Sequence, residues 1–185
     1  FFTLLCNDPL NGENYCMIDE ERKINLNKIN GVEISAQVKK VFTEPDRLSP
    51  EEADKVIKII SGWVGNPFTS PSGGTPNPEE ENLFKKKKLN VLEELLFILE
   101  CYYYFEANAG DQAQEKAQEL YNKVKDYLTV YGGGKININT ASKEILAALI
   151  KSIASTSDFD GIAGKIVAYR EDETFGPFKA DADIN

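Results

Sequence analysis

Apolar positions follow two periods along the chain: a period of two near the start and after residue 127, and helical spacing between and beyond. Phe1 to Cys6 and Tyr15 to Ile18 read as two strands. Lys23-Ile24-Asn25-Leu26-Asn27 alternates polar and apolar residues, as a half-buried strand does. Val32 to Glu44 places Ile34, Val38 and Val41 on one helical face, and Pro45 ends it. Ser49-Pro50-Glu51-Glu52 is a capping box with proline at the first helical position. Ala53, Val56, Ile57, Ile60, Trp63 and Val64 then make one stripe, and Gly62 and Gly65 fray its end.

Residues 66–81 hold Pro67, Pro71, Pro76 and Pro78 and form a loop too long for an ordinary connection. The four lysines Lys85 to Lys88 read as an anion site or, more simply, as a solvated segment before a helix. Asn90 is the expected cap of that helix, with Glu93 at its third position. Leu92, Leu95, Leu96, Leu99, Tyr102 and Tyr103, widened by Phe97, Ile98 and Phe105, predict a central helix covered on most sides. On it, Cys101 is expected in the core, and the cluster Tyr102 to Phe105 is read as core and subunit contact before stacking platform. Asp111 to Tyr127 predicts a surface helix with Ala117, Leu120, Tyr121, Val124 and Leu128 inward.

Leu128 to Tyr131 returns to strand chemistry, and Gly132 to Gly134 breaks it. Lys135-Ile136-Asn137-Ile138-Asn139 then echoes Lys23 to Asn27. Asparagine bonds nearby backbone readily, so Asn25, Asn27, Asn137 and Asn139 suit corners where strand gives way to helix. Thr140 is the expected N-cap of a helix from Ala141 to Ile153 with Ile145, Leu146, Leu149, Ile150 and Ile153 inward. Gly161 to Glu171 looks like the second half of a helix-hairpin-helix, with its glycine in the hairpin. Asp158 and Asp160 would repel a phosphate there, and Lys165 is the one cation near the hairpin.

Length and composition narrow the function. At 185 residues the chain makes one large domain or two small ones, and its net charge of -9 disfavours nucleic acid. The absence of histidine excludes His-dependent triads and His zinc sites unless another chain supplies the imidazole. Adjacent carboxylates such as Glu51 and Glu52, or Glu93 and Glu94, diverge on a helix and make poor acid–base pairs, so an enzyme is disfavoured. The turn Asn11-Gly12 sets the register between Cys6 and Cys16. A two-residue turn puts Cys6 opposite Met17, whereas a three-residue loop puts it opposite Cys16, so a disulfide and two buried thiols both stay open.

The order of these elements resembles the K-type minor pseudopilins of bacterial type II secretion. The resemblance rests on Ile18 to Asn27 followed by the capped helix ending near Trp63, on Tyr127 to Gly132 running into Lys135 to Ala141, and on Ile162 to Tyr169 with Pro177-Phe178-Lys179. It implies an α+β, predominantly helical fold: a pilin-like small antiparallel sheet with a large inserted helical domain of helix-hairpin-helix-like (SAM-like) type. The expected division is strands over 1–30, the insert over 31–127, and a returning strand with a helix-hairpin-helix-like unit over 128–185. The resemblance further implies an upstream transmembrane helix anchoring the protein in the inner membrane, with the soluble region in the periplasm. The implied partners are the I- and J-type minor pseudopilins and the pseudopilus, with no enzyme activity, small-molecule substrate or nucleic acid. Some such proteins bind calcium in the helical domain. Here the segment after Trp63 lacks carboxylates, and Glu79, Glu80 and Glu81 are the weak substitutes, with no loop of calcium-ligand spacing. The alternative from the residues is a nucleic-acid-binding module like the competence-type helix-hairpin-helix proteins.

Overall fold

Extended backbone pairs at two places in the computed structural model, which describes residues 2–5, 16–44, 46–64, 88–154, 156–174 and 176–178. Strand β1 (Phe2–Leu5) runs antiparallel to β2 (Cys16–Asp19). Strand β3 (Ile24–Asn25) runs parallel to β4 (Leu128–Thr129), with Ile24 opposite Leu128 and Asn25 opposite Thr129. The expected sheet is therefore antiparallel in its first pair only. The second pair is parallel, because a long helical crossover, and not a hairpin, brings the chain back beside β3.

Both Lys-Ile-Asn-x-Asn segments are shorter as strands than their alternation predicts. In the first, Asn25 Oδ1 accepts from the Asn27 N–H at 2.9 Å, and the backbone curls into a 3-10 turn over Leu26–Lys28. In the second, one backbone bond, Asn137 N–H to the Glu21 carbonyl at 2.8 Å, stands in place of a ladder. Cys16 lies opposite Leu5 in the β1–β2 register, so neither pairing considered above is the observed one. Cys6 and the turn at Asn11-Gly12 lie outside the described residues.

Six α-helices among the described residues carry the rest of the fold. Helix α1 (Val32–Phe42) buries Val38, Val41 and Phe42 and stops short of Pro45, with Thr43 Oγ1 donating to the Lys39 carbonyl. Helix α2 (Pro50–Trp63) has the complete capping box: Ser49 Oγ accepts from the Glu52 N–H, and Glu52 Oε2 accepts from the Ser49 N–H. The Ser49 N–H is the main cause that holds the Glu52 carboxyl below its ordinary range. Ser49→Ala should cost about 1 kcal/mol in chemical denaturation, the usual value of such a cap.

Helix α3 (Glu94–Cys101) starts later than its sequence suggests. Glu94, not Glu93, reaches back to Asn90, accepting from its N–H at 3.1 Å. Past Cys101 the backbone widens into a π turn over Tyr102–Glu106. Tyr102 is buried, and burial first, then the Glu52 charge, push its phenol above the ordinary value. Tyr104 and Phe105 face outward, so the helix is not covered on most sides. Cys101 is half-buried and lines a surface hollow; it is not a core residue.

Helix α4 (Ala113–Val124) is flanked by 3-10 turns over Gly110–Gln112 and Lys125–Tyr127 and turns Ala117, Leu120, Tyr121 and Val124 inward. Helix α5 (Lys143–Ile153) is capped by Ser142 and not by Thr140: Ser142 Oγ accepts from the Ile145 N–H. The expected stripe holds for Ile145, Leu146 and Ile150, whereas Ile153 is exposed at the helix end. Helix α6 (Phe159–Glu171) contains Gly161 and Gly164 within its length, so neither glycine forms a hairpin. Gly161 is where Asp158 folds over the first turn; a Cβ there would clash with the Asp158 carboxylate.

One core joins these helices. Helix α1 packs on α5, α5 on α6, α3 on α4, and α2 touches both α1 and α3. Ile24, Leu26, Ile29 and Leu128 from the strand region enter the same core. No described helix is long and apolar enough to cross a membrane.

Candidate functional site

Each asparagine corner bonds backbone far away in the chain, the first holding Leu89 and Val130 to Gly132 and the second Phe178. Asn25 is buried, and its Nδ2 donates to the Tyr131 carbonyl at 2.7 Å and the Gly132 carbonyl at 2.9 Å. Asn27 reaches a second distant segment. Its Oδ1 accepts from the Leu89 N–H at 2.6 Å, and its Nδ2 donates to the carbonyls of Leu89 at 2.9 Å and Val130 at 2.8 Å. It treats Leu89 as a neighbouring strand would, satisfying both backbone groups of one residue. Gly132 and Gly134 bracket this turn at φ of +83° and +85°, a region that side chains rarely enter.

The second corner repeats the first. Asn137 Oδ1 accepts from the Asn139 N–H at 3.0 Å, as Asn25 does from Asn27. Asn139 accepts from the Phe178 N–H and donates to the Phe178 carbonyl, both at 2.9 Å, as Asn27 does with Leu89. The sequence echo is thus a repeated bonding device: the first asparagine bends its own backbone, and the second fastens a remote segment. Tyr169 of α6 stacks on Phe178 with ring centroids 4.7 Å apart and so holds the same exit segment.

Acidic residues at the end of β2 join the corners. Asp19 Oδ2 accepts from Asn137 Nδ2 and from Thr140 Oγ1, each at 2.8 Å, while its Oδ1 accepts from the Glu21 N–H. Thr140 therefore serves the corner without capping a helix. Glu20 is buried; Thr129 Oγ1 donates to its Oε2 at 2.7 Å and Lys23 Nζ lies 3.3 Å from its Oε1. Burial alone would raise the Asp19 carboxyl, but the bonds from Thr140, the Glu21 N–H and Asn137 together hold it below its ordinary value of 3.8. A depressed carboxylate contributes stability that is full above the unfolded value and lost as pH falls through the folded one. The stability gap between wild type and Asp19→Asn should therefore be constant above about pH 4 and close in more acid solution, read by urea denaturation across pH.

Sequence reasoning missed Asp19 and Arg170 as corner residues. Arg170 Nη1 donates to the Ile138 carbonyl at 2.8 Å and the Ala141 carbonyl at 2.6 Å, tying α6 to the second corner. Its signal in the sequence was only its place at the end of an amphipathic helix. Glu79, Glu80 and Glu81 lie outside the described residues, as do the lysines Lys85 to Lys87. Among the described residues, no three His, Cys, Asp or Glu side chains converge as a metal-holding group. The corner side chains are taken up in hydrogen bonds that hold backbone, which suits them to shaping a surface. No family model matches the chain, and comparison with curated proteins and solved structures found no match.

Proposed function

We propose that this chain is the soluble region of a structural subunit like the K-type minor pseudopilins, acting at the tip of a type II secretion pseudopilus. In this reading it is not an enzyme. It sits on the periplasmic side of a bacterial inner membrane, helps start pseudopilus assembly, and so assists export of folded proteins. The observation that carries the reading is the pair of asparagine corners. Asn25 and Asn27 hold the returning segment at Val130 to Gly132 beside the parallel pair β3–β4, and Asn137 bonds Asp19 at the end of β2, so the start and the return of a long helical segment are fastened to neighbouring extended backbone, as a helical insert requires. The antiparallel pair β1–β2 is a separate two-stranded sheet and supplies the antiparallel element of this reading. The acidic Asp158 and Asp160 at the start of α6 support it over the nucleic-acid alternative, because they stand where a phosphate would approach the helix N-terminus.

The test is reconstitution with I- and J-type minor pseudopilins. A complex of the three that survives size-exclusion chromatography is expected. Failure to associate at micromolar concentration, together with DNA binding that weakens steeply with salt, would overturn the reading.

A further inference from the structure

The aromatic run that the sequence offers as core is only partly used there. Tyr102 is buried, but Phe97, Tyr104 and Phe105 are 52%, 58% and 70% exposed. Tyr104 and Phe105 stand on the π turn that ends α3. In the π turn over Tyr102–Glu106 these two rings meet edge to face, with centroids 4.9 Å apart.

These rings wall an open hollow of about 440 Å³ between α3 with its π turn and the start of α4. Its floor is Cys101 and Ala113, and its far lip is Gly110 and Asp111. Among the described residues that line it, the charged groups are the carboxylates of Glu100 and Asp111. Burial, and then the Glu100 charge, push the Cys101 thiol up, so it meets a ligand as a neutral, apolar wall.

Exposed aromatic faces beside carboxylates, with no cation among the described lining residues, make a cation-seeking surface. A guanidinium satisfies both features at once, since its flat face stacks on a ring while its edge donates to a carboxylate. Glycine at 110 has nothing within 4 Å of where a Cβ would stand, which leaves the lip open to an approaching backbone. A second copy of this chain is a poor occupant, because the whole chain carries a net charge of -9 and would bring like charge to an acidic hollow.

We infer that the hollow between the π turn and α4 is a docking site for an arginine-bearing, apolar segment of a partner protein. Phe105 and Tyr104 receive the guanidinium face, Phe97 receives the flanking apolar side chain, and Glu100 and Asp111 receive the guanidinium edge. The inference goes beyond the function proposed above and does not depend on it.

The test uses two acetylated, amidated pentapeptides, Leu-Arg-Leu-Arg-Leu and Leu-Glu-Leu-Glu-Leu, titrated into the isotope-labelled protein and followed by NMR. The arginine peptide should move the amides of Tyr104, Phe105, Gly110 and Asp111 and bind at least about tenfold more tightly than the glutamate peptide. Phe105→Ser, and separately the pair Glu100→Gln with Asp111→Asn, should each weaken the arginine peptide about tenfold with unfolding unchanged. Equal binding of the two peptides, binding of neither, or shifts centred elsewhere overturns the inference. So does a concentration-dependent dimer that Phe105→Ser abolishes, since the hollow would then be a self-contact.

Discussion

Asn25→Ala should lower the folding free energy by about 3 kcal/mol, because it orphans several backbone groups at once. The side chain is 3% exposed and serves three partners: the carbonyls of Tyr131 and Gly132 and the N–H of Asn27. Each stranded group in a buried setting costs roughly 1 to 3 kcal/mol, and Gly132 is open enough to water to regain part of its share. Asn25→Asp should be no milder. Its carboxylate keeps the bond from Asn27 but turns negative charge toward two carbonyl oxygens. Urea denaturation reads the difference, and a loss under about 0.5 kcal/mol would show that the side chain does not fasten the return strand.

Arg170→Met should cost about 2 to 3 kcal/mol, with the aliphatic stem kept and the charge-assisted bonds removed. The Arg170 side chain is 13% exposed, and Nη1 alone bridges the carbonyls of Ile138 and Ala141. Those carbonyls belong to the turn that leads into α5, whose N-cap is Ser142. Losing the bridge should therefore loosen α6 against α5 as well as the second corner. Arg170→Lys should recover only part of the loss, since a shorter arm with a point charge does not span both oxygens as the guanidinium does. If Met and Arg variants unfold at the same urea concentration, α6 is held by packing alone.

The helices were legible where one face decided everything. Ser49 to Val64 carried its start signal and its stripe in local sequence, and α2 follows both. Ala117, Leu120, Tyr121 and Val124 mark α4 in the same way. The corners were legible as asparagines that bond backbone where strand gives way to helix, but the segments they hold were not, because Leu89 and Phe178 are named by tertiary contact and by nothing local. Thr140 and Ser142 both offer a hydroxyl near the start of α5; the helix begins at Lys143, so Ser142 is its cap, while Thr140 donates to Asp19. The parallel pairing of β3 with β4 was illegible for a similar reason, as two-residue strands carry too little pattern to fix direction. The hollow escaped because a broad apolar stripe signals burial all round, whereas Phe97, Tyr104 and Phe105 stand exposed.

Native-state hydrogen exchange at four backbone amides tests the fastening most directly. The N–H groups of Asn27, Leu89, Asn139 and Phe178 each end on an asparagine Oδ1 and not on a sheet or helix carbonyl. If the twin corners lock the helical layer to its extended base, these four should exchange as slowly as the Leu99 amide inside α3, opening only with the whole fold. Exchange as fast as at Gly133, on the open turn, would mean that the corners unlatch on their own and that the helices stand without them.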